Sequence, residues 1–135
     1  KNINFEEKIL KIKNNLEIFY SSFEPTNLNQ FKSKRVIAVA GIGNPKNFFQ
    51  LLENNGIFVE KKIIFPDHHT LSKFEFEDMI SEANKRNCQI LMTEKDYYKV
   101  REFDSNKIGF LKVSLKINNL NKLIKKIENF NDQNF

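Results

Sequence analysis

The strongest constraint on the fold is a regular alternation of apolar runs and amphipathic segments. Val36–Ala40 is a continuous apolar run, typical of a strand covered on both faces. A turn with two glycines follows, and then Pro45, a favoured first residue of a helix. The same order recurs, with predicted strands at 57–65, 89–93 and 108–113 and predicted helices from 72, 97 and 120. The alternation predicts a three-layer α/β/α fold with a mainly parallel sheet of about four strands, flanking helices and a central first strand.

The first 34 residues differ in pattern from the rest. Apolar side chains recur at helical spacing from Phe5 to Leu16, residues 16–23 are aromatic and extended in pattern, and residues 25–34 are polar. We therefore predict a lead-in helix with an extended connector over residues 1–34 and one α/β/α domain over residues 35–135. Because the chain starts with Lys1 and not with Met, we expect it to be part of a longer or processed protein.

Composition excludes several classes of protein. A chain of 135 residues suits a single core, and no apolar run is long enough for a transmembrane helix. The one cysteine, Cys88, excludes an internal disulfide and a multi-cysteine zinc site, and favours a reducing compartment. Lys and Arg outnumber Asp and Glu by 22 to 17, which favours anionic partners. The lysines are dispersed and no nucleic-acid-binding motif is present, so nucleic acid is not a predicted partner.

Three short polar clusters each follow a predicted strand directly. They are Gly41–Pro45, Asp67–His69 and Thr93–Asp96. The carboxyl ends of parallel strands lie at one edge of a sheet, and open α/β proteins hold their ligands at that edge. We therefore expect all three clusters to lie at a single edge, although they are far apart in sequence.

Each cluster has a structural and a functional interpretation. The glycines suit a tight strand-to-helix turn or an anion near a helix N-terminus, although the third glycine of a dinucleotide fingerprint and the Gly-Lys-Ser/Thr of a P-loop are absent. Asp67 either caps a turn or orients an imidazole for proton transfer, and a metal site there lacks further ligands. Glu94 and Lys95 either neutralise each other in a local ion pair, or the carboxylate accepts a proton and the lysine contacts a phosphate. Asp96 would cap a helix that begins at Tyr97.

In this order and spacing, the clusters resemble the carboxyl-terminal domain of the tetraacyldisaccharide 4′-kinase family, which acts in lipid A biosynthesis. The resemblance is clear over about residues 35–113. It is carried by Val36–Pro45 with Phe48 and Phe49, by Phe65–His69, and by Leu91–Asp96 with Lys99 and Arg101. It implies that this chain is the second half of a kinase and that its domain faces a P-loop domain across a cleft.

The resemblance also implies a function. The full-length enzyme would use ATP and Mg²⁺, held by its amino-terminal P-loop domain, to phosphorylate the 4′-hydroxyl of tetraacyldisaccharide 1-phosphate. This chain alone would bind neither cofactor, hold no metal and be inactive. Its partners would be the P-loop domain of the same polypeptide and the glycolipid substrate. The enzyme would be cytoplasmic, peripheral to the cytoplasmic face of the inner membrane.

The family motifs assign roles to individual residues. By this match His68 assists the catalytic aspartate of the other domain and Asp67 orients it, whereas His69 takes no catalytic role. The substrate or inter-domain cleft would be shaped by Gly41, Gly43, Asn44, Thr93, Glu94, Lys95 and Asp96. Two other functions stay open: a non-catalytic anion-binding α/β module, and a metal-dependent phosphoesterase with an Asp-His-His motif. The phosphoesterase would need further strand-end aspartates, and the first strand end has none.

Overall fold

The computed structural model describes residues 3–67, 69–103 and 106–132. The helices are α1 (Ile3–Ile12), α2 (Pro45–Asn54), α3 (Lys73–Lys85), α4 (Glu94–Val100) and α5 (Leu120–Asp132). The strands are β1 (Ser21–Pro25), β2 (Arg35–Ala40), β3 (Phe58–Ile64), β4 (Gln89–Thr93), β5 (Ile108–Leu111) and β6 (Val113–Ile117). Single turns of 3₁₀ helix cover Leu28–Gln30 and Arg101–Phe103.

A four-stranded parallel sheet forms the centre of one compact unit, Pro25–Val113. The strand order is β3-β2-β4-β5, so β2 is an inner strand, as expected of the first strand after the connector. The apolar residues Val36–Ala40 are each at most 1% exposed. A strand buried on both faces can be apolar at every position, which is why its sequence does not alternate.

Helices cover both faces of this sheet. On one face, α2 contributes Phe48, Phe49 and Leu52 to a core that includes Ala38 of β2. On the other face, α3 and α4 contribute to a second core that includes Val39. Neighbouring residues of β2 thus face opposite helical layers, because side chains alternate along a strand. The predicted three-layer α/β/α fold is confirmed.

Local signals fix several helix ends as predicted. Ser72 caps α3: its hydroxyl accepts the Glu75 backbone N–H at 3.2 Å, and a Glu75 carboxylate oxygen accepts the Ser72 N–H at 2.8 Å. Gly56 follows α2 with φ of +75°, a conformation that glycine adopts without strain. Helix α2 begins at Pro45 as expected, although the Asn44 side chain makes no capping hydrogen bond.

Two predicted elements are wrong in their limits. The helix predicted to begin at Tyr97 begins at Glu94, and its cap is Thr93 rather than Asp96, because the Thr93 hydroxyl accepts the Asp96 backbone N–H at 3.2 Å. Threonine and aspartate are both good caps, and the earlier residue takes the position. The strand predicted over 108–113 is two strands, β5 and β6, which lie in different sheets.

A second compact unit combines the two ends of the chain, Lys1–Glu24 with Ser114–Phe135. It contains α1 and α5, and β1 pairs with β6 in a two-stranded sheet. Helix α1 ends at Ile12, so Leu16 of the predicted helical stripe lies beyond it. Within its described part no side chain is buried, and Ile12 and Phe130 are 87% and 69% exposed. The division of the chain at residue 34 stays a prediction.

A membrane-spanning helix was not expected from the sequence. Across residues 3–67, 69–103 and 106–132, no helix combines the length and the apolar character needed to cross a bilayer.

Candidate functional site

A buried carboxylate joins the ends of two strands. Asp96 is 7% exposed, and its Oδ2 accepts the Gly41 backbone N–H at 2.9 Å and the Thr93 hydroxyl at 2.7 Å. Its Oδ1 lies 3.2 Å from Lys99 Nζ. A buried charge is tolerated when it is paired and hydrogen-bonded in this way. Asp96 thereby connects the end of β2, the end of β4 and helix α4.

Gly41 allows the backbone to approach this carboxylate closely. A Cβ at position 41 would lie 3.1 Å from Asp96 Oδ1 and 3.5 Å from the Cβ of Phe65. A side chain there would displace one of these neighbours, so the glycine serves close packing at the strand end. Close packing at the strand end therefore explains why residue 41 is a glycine.

The three polar clusters meet at the carboxyl edge of the sheet, where β2, β3 and β4 end. Asp67 Oδ1 lies 3.2 Å from Lys95 Nζ, and a Cβ at Gly43 would lie 3.7 Å from Asp67 Oδ2. Gly43 of the first cluster and Lys95 of the third therefore both lie next to Asp67 of the second. Lys95 pairs with Asp67 and not with Glu94, because consecutive residues of a helix do not face each other.

His69 is held by contacts within its own loop and with α3. Its ring stacks on Phe65, with centroids 5.0 Å apart and planes 1° from parallel. Its Nε2 lies 3.1 Å from Glu75 Oε1, the carboxylate that caps α3. Hydrogen bonds from the backbone and hydroxyl of Ser72, together with His69, hold the pKa of Glu75 below its usual value of 4.5. These contacts give the His69 ring a structural role.

The predicted site residues fall into three groups. His68 lies outside the described residues, so its role stays a prediction. Asn44 is exposed at the start of α2, and Glu94 is half-buried in the first turn of α4. The residues that the structure brings together at the carboxyl edge are Gly41, Gly43, Asp67, Thr93, Lys95 and Asp96. Their functional roles stay predictions.

Sequence reasoning gave Lys99 no role beyond its place in a motif. Its Nζ lies 3.2 Å from Asp96 Oδ1 and 3.4 Å from the backbone oxygen of His69, so it contacts both the second and the third cluster. The signal was present in the spacing, because Lys99 follows Asp96 by three residues and Lys95 by four. Residues three and four apart share one side of a helix.

One small cavity lies at this edge. Side chains that include Met92, Asp96 and His69 enclose a cavity of about 10 Å³, which is about the space that one water needs. Across the described ranges, with position 68 left out, no three His, Cys, Asp or Glu residues are grouped so that they could hold a metal ion.

Comparison with known proteins gives one consistent result. The family model for tetraacyldisaccharide-1-P 4′-kinase matches residues 2–131. The tetraacyldisaccharide 4′-kinase of Pelagibacter ubique is 34% identical over 133 residues, which cover 98% of this chain and 42% of that protein. The enzyme of the same name from Rickettsia akari is 37% identical over 119 residues, which cover 85% of this chain and 36% of that protein.

A solved structure supports the fold. A crystal structure of LpxK from Aquifex aeolicus in complex with ATP is similar, with a TM-score of 0.58 and 24% sequence identity. The similarity covers 89% of this chain and 40% of that one. This chain thus spans about two fifths of the length of the Pelagibacter ubique enzyme and of the Aquifex aeolicus protein.

Proposed function

Because this chain belongs to the tetraacyldisaccharide-1-P 4′-kinase family, we propose that it forms the carboxyl-terminal α/β unit of an ATP-dependent kinase of lipid A biosynthesis. In the proposed reaction, the 4′-oxygen of tetraacyldisaccharide 1-phosphate forms a bond to the γ-phosphorus of ATP. The bond from that phosphorus to ADP breaks, and the hydroxyl proton passes to a base. The family match over residues 2–131 carries this proposal.

ATP and magnesium binding are assigned to the family's P-loop domain. This sequence has no Gly-Lys-Ser/Thr motif, and the described residues offer no three-ligand metal cluster. We therefore propose that the P-loop domain holds ATP and magnesium, and no step through them is given to this chain. Phosphoryl transfer depends mainly on positioning and on charge neutralisation. The carboxyl edge, with its hydrogen-bonded carboxylates and lysines, suits the positioning part of that task.

The proposed proton path uses the loop after β3. By its match to the family motif, His68 would assist the base of the P-loop domain, and Asp67 would orient His68. The position of Asp67 supports this proposal, because the Asp67 carboxylate lies at the carboxyl edge with Gly43 and Lys95. A substrate at the outer surface of that edge would then meet the loop directly.

The P-loop domain of the same polypeptide is the proposed partner. Amphipathic helices are stable when their apolar stripe is covered. Most apolar residues of α1 and α5 are exposed, Ile12 most of all at 87%, and the match covers only 42% of the Pelagibacter ubique enzyme. We propose that the complete enzyme acts at the cytoplasmic face of the inner membrane, where a glycolipid substrate is accessible.

The test is a chimera in which residues 1–135 replace the aligned segment of the Pelagibacter ubique enzyme. We expect the chimera to transfer phosphate from ATP to tetraacyldisaccharide 1-phosphate, and residues 1–135 alone to show no ATP turnover. Within the chimera, His68→Ala should lower kcat by about two orders of magnitude, since general base assistance is worth roughly that factor.

Two controls accompany the chimera. Thr70→Ala changes an exposed residue in the same loop and should leave kcat unchanged. Circular dichroism and a thermal unfolding curve show whether the chimera is folded. A folded chimera that transfers no phosphate would contradict the proposed function. If that chimera and the 135-residue chain still bound the phosphorylated glycolipid, the anion-binding alternative would be favoured.

A further inference from the structure

Helix α4 directs two lysines at the loop that follows β3. Lys95 and Lys99 are four residues apart and therefore lie on the same side of the helix. Lys95 Nζ is 3.2 Å from Asp67 Oδ1, and Lys99 Nζ is 3.4 Å from the backbone oxygen of His69. One helix thus holds this loop at two points.

The helix is itself firmly anchored. Its N-terminus is capped by Thr93, and Val100 near its end is 2% exposed in the core. The Asp96 carboxylate, one turn before Lys99, accepts the backbone N–H of Gly41 at the end of β2. The lysines therefore connect the loop to a support that is continuous with the sheet.

The two lysine contacts differ from the core contacts in how much they add to folding stability and in how they act on the position of the loop. The side chains of Lys95 and Asp67 are 51% and 41% exposed. Exposed ion pairs contribute little to folding stability. They still restrict where a loop lies, because each fixes one side chain relative to another. The Lys99 side chain, 27% exposed, adds a second and more shielded contact.

From this geometry, and on the basis of the proposed function, we propose that Lys95 and Lys99 are positioning residues for phosphoryl transfer. They hold the loop after β3, with the Asp67 carboxylate, against the carboxyl edge of the sheet. Neither lysine is placed in contact with the reacting atoms. Catalysis is sensitive to such placement, since small displacements of a reacting or supporting group lower the rate steeply.

The first experiment measures the loop itself in the full 135-residue chain. Lys95→Met keeps the length of the side chain and removes its charge and donors. We expect the His69 amide, which donates to the Pro66 oxygen at 3.1 Å, to exchange with solvent about two- to fivefold faster, as the loss of an exposed ion pair allows, while β2 amides stay unchanged. Lys95→Arg should restore the slow exchange. Lys99→Met is the second variant, and its urea unfolding curve shows whether it is folded.

The second experiment measures turnover in the chimera with the Pelagibacter ubique enzyme. Lys95→Met should lower kcat about tenfold with KM for ATP unchanged, because the loop acts on the chemical step and ATP is bound elsewhere. The control is Lys46→Gln, which removes an exposed positive charge at the start of α2 and should leave both constants unchanged.

The outcomes separate the two proposals. Unchanged exchange in both lysine variants would overturn the positioning role, whatever the chimera does. A rise in KM with kcat unchanged would also overturn it, because it would make Lys95 a binding group. An inactive unsubstituted chimera would contradict the proposed function instead, and the exchange experiment would still decide the inference about the loop.

Discussion

At the scale of single residues, the Asp96 carboxylate is the most consequential group. It is buried, and it accepts hydrogen bonds from Gly41 and Thr93 while pairing with Lys99. Asp96→Asn keeps the shape, removes the charge and replaces one acceptor oxygen by a donor. Donors that are left unsatisfied in the interior cost about 1–3 kcal/mol, so we expect the free energy of unfolding to fall by about that amount.

Urea unfolding of the 135-residue chain measures this loss. The matched control is Asp78→Asn, which makes the same chemical change at an exposed position of α3 and should alter the free energy of unfolding by less than about 0.5 kcal/mol. Equal stability of the two variants would show that the contacts of Asp96 contribute nothing net to folding.

The contacts of Asp96 show where residue-level prediction stops. The sequence indicated that Asp96 belongs to a helix start, because aspartate is common there. Its bond to Gly41 spans 55 residues, and depends on how β2 and α4 are placed by the sheet. A polar residue's local neighbours predict its capping role, whereas its long-range partners follow only from the assembled fold.

At the scale of elements, an ion pair connects β3 to α3 and makes stability depend on pH. Lys61 Nζ lies 2.7 Å from both carboxylate oxygens of Glu82, and mainly through this hydrogen bond it holds the pKa of Glu82 below the usual 4.5. A carboxyl group with a lowered folded pKa stabilises the fold above its unfolded pKa. That contribution is lost as the pH falls through the lower folded value.

We therefore expect the free energy of unfolding of Glu82→Gln to fall less steeply than that of the unsubstituted chain as the pH is lowered from 5 to about 3. At pH 7 the loss should be below about 1 kcal/mol, since the pair is partly exposed. Urea unfolding at a series of pH values measures both effects. Glu77→Gln serves as the control, because its ion pair with Lys73 is 3.8 Å long and exposed. A Glu82→Gln curve parallel to that of the unsubstituted chain would refute the prediction.

Strands and helices that carry their own signals were predictable. The buried run of β2 and the capping box of α3 are local patterns, and both are found as expected. The division between β5 and β6 is not local. Asn27 donates to the Phe110 oxygen and accepts the Lys112 N–H, both at 2.9 Å, across more than 80 residues. The strand pairing is interrupted there by a side chain that no pattern in residues 108–117 reveals.

At the scale of the whole molecule, the two compact units differ in how far they bury their side chains. The unit of residues 25–113 has two buried cores, whereas none of the described side chains of the other unit is buried. Amide exchange by native-state NMR should therefore be slower in β2 and β4 than in α1 and α5, by about 100-fold or more. Comparable protection in both units would mean that the helices have a core or a partner in the isolated chain.

The hydrogen bond between Asp96 and Gly41 is expected to contribute both to folding stability and to the proposed positioning role of the carboxyl edge. Selection for a folded protein and selection for turnover would act on the same oxygen atoms. A substitution at position 96 is therefore expected to lower the free energy of unfolding and to displace the surface proposed for phosphoryl transfer at the same time.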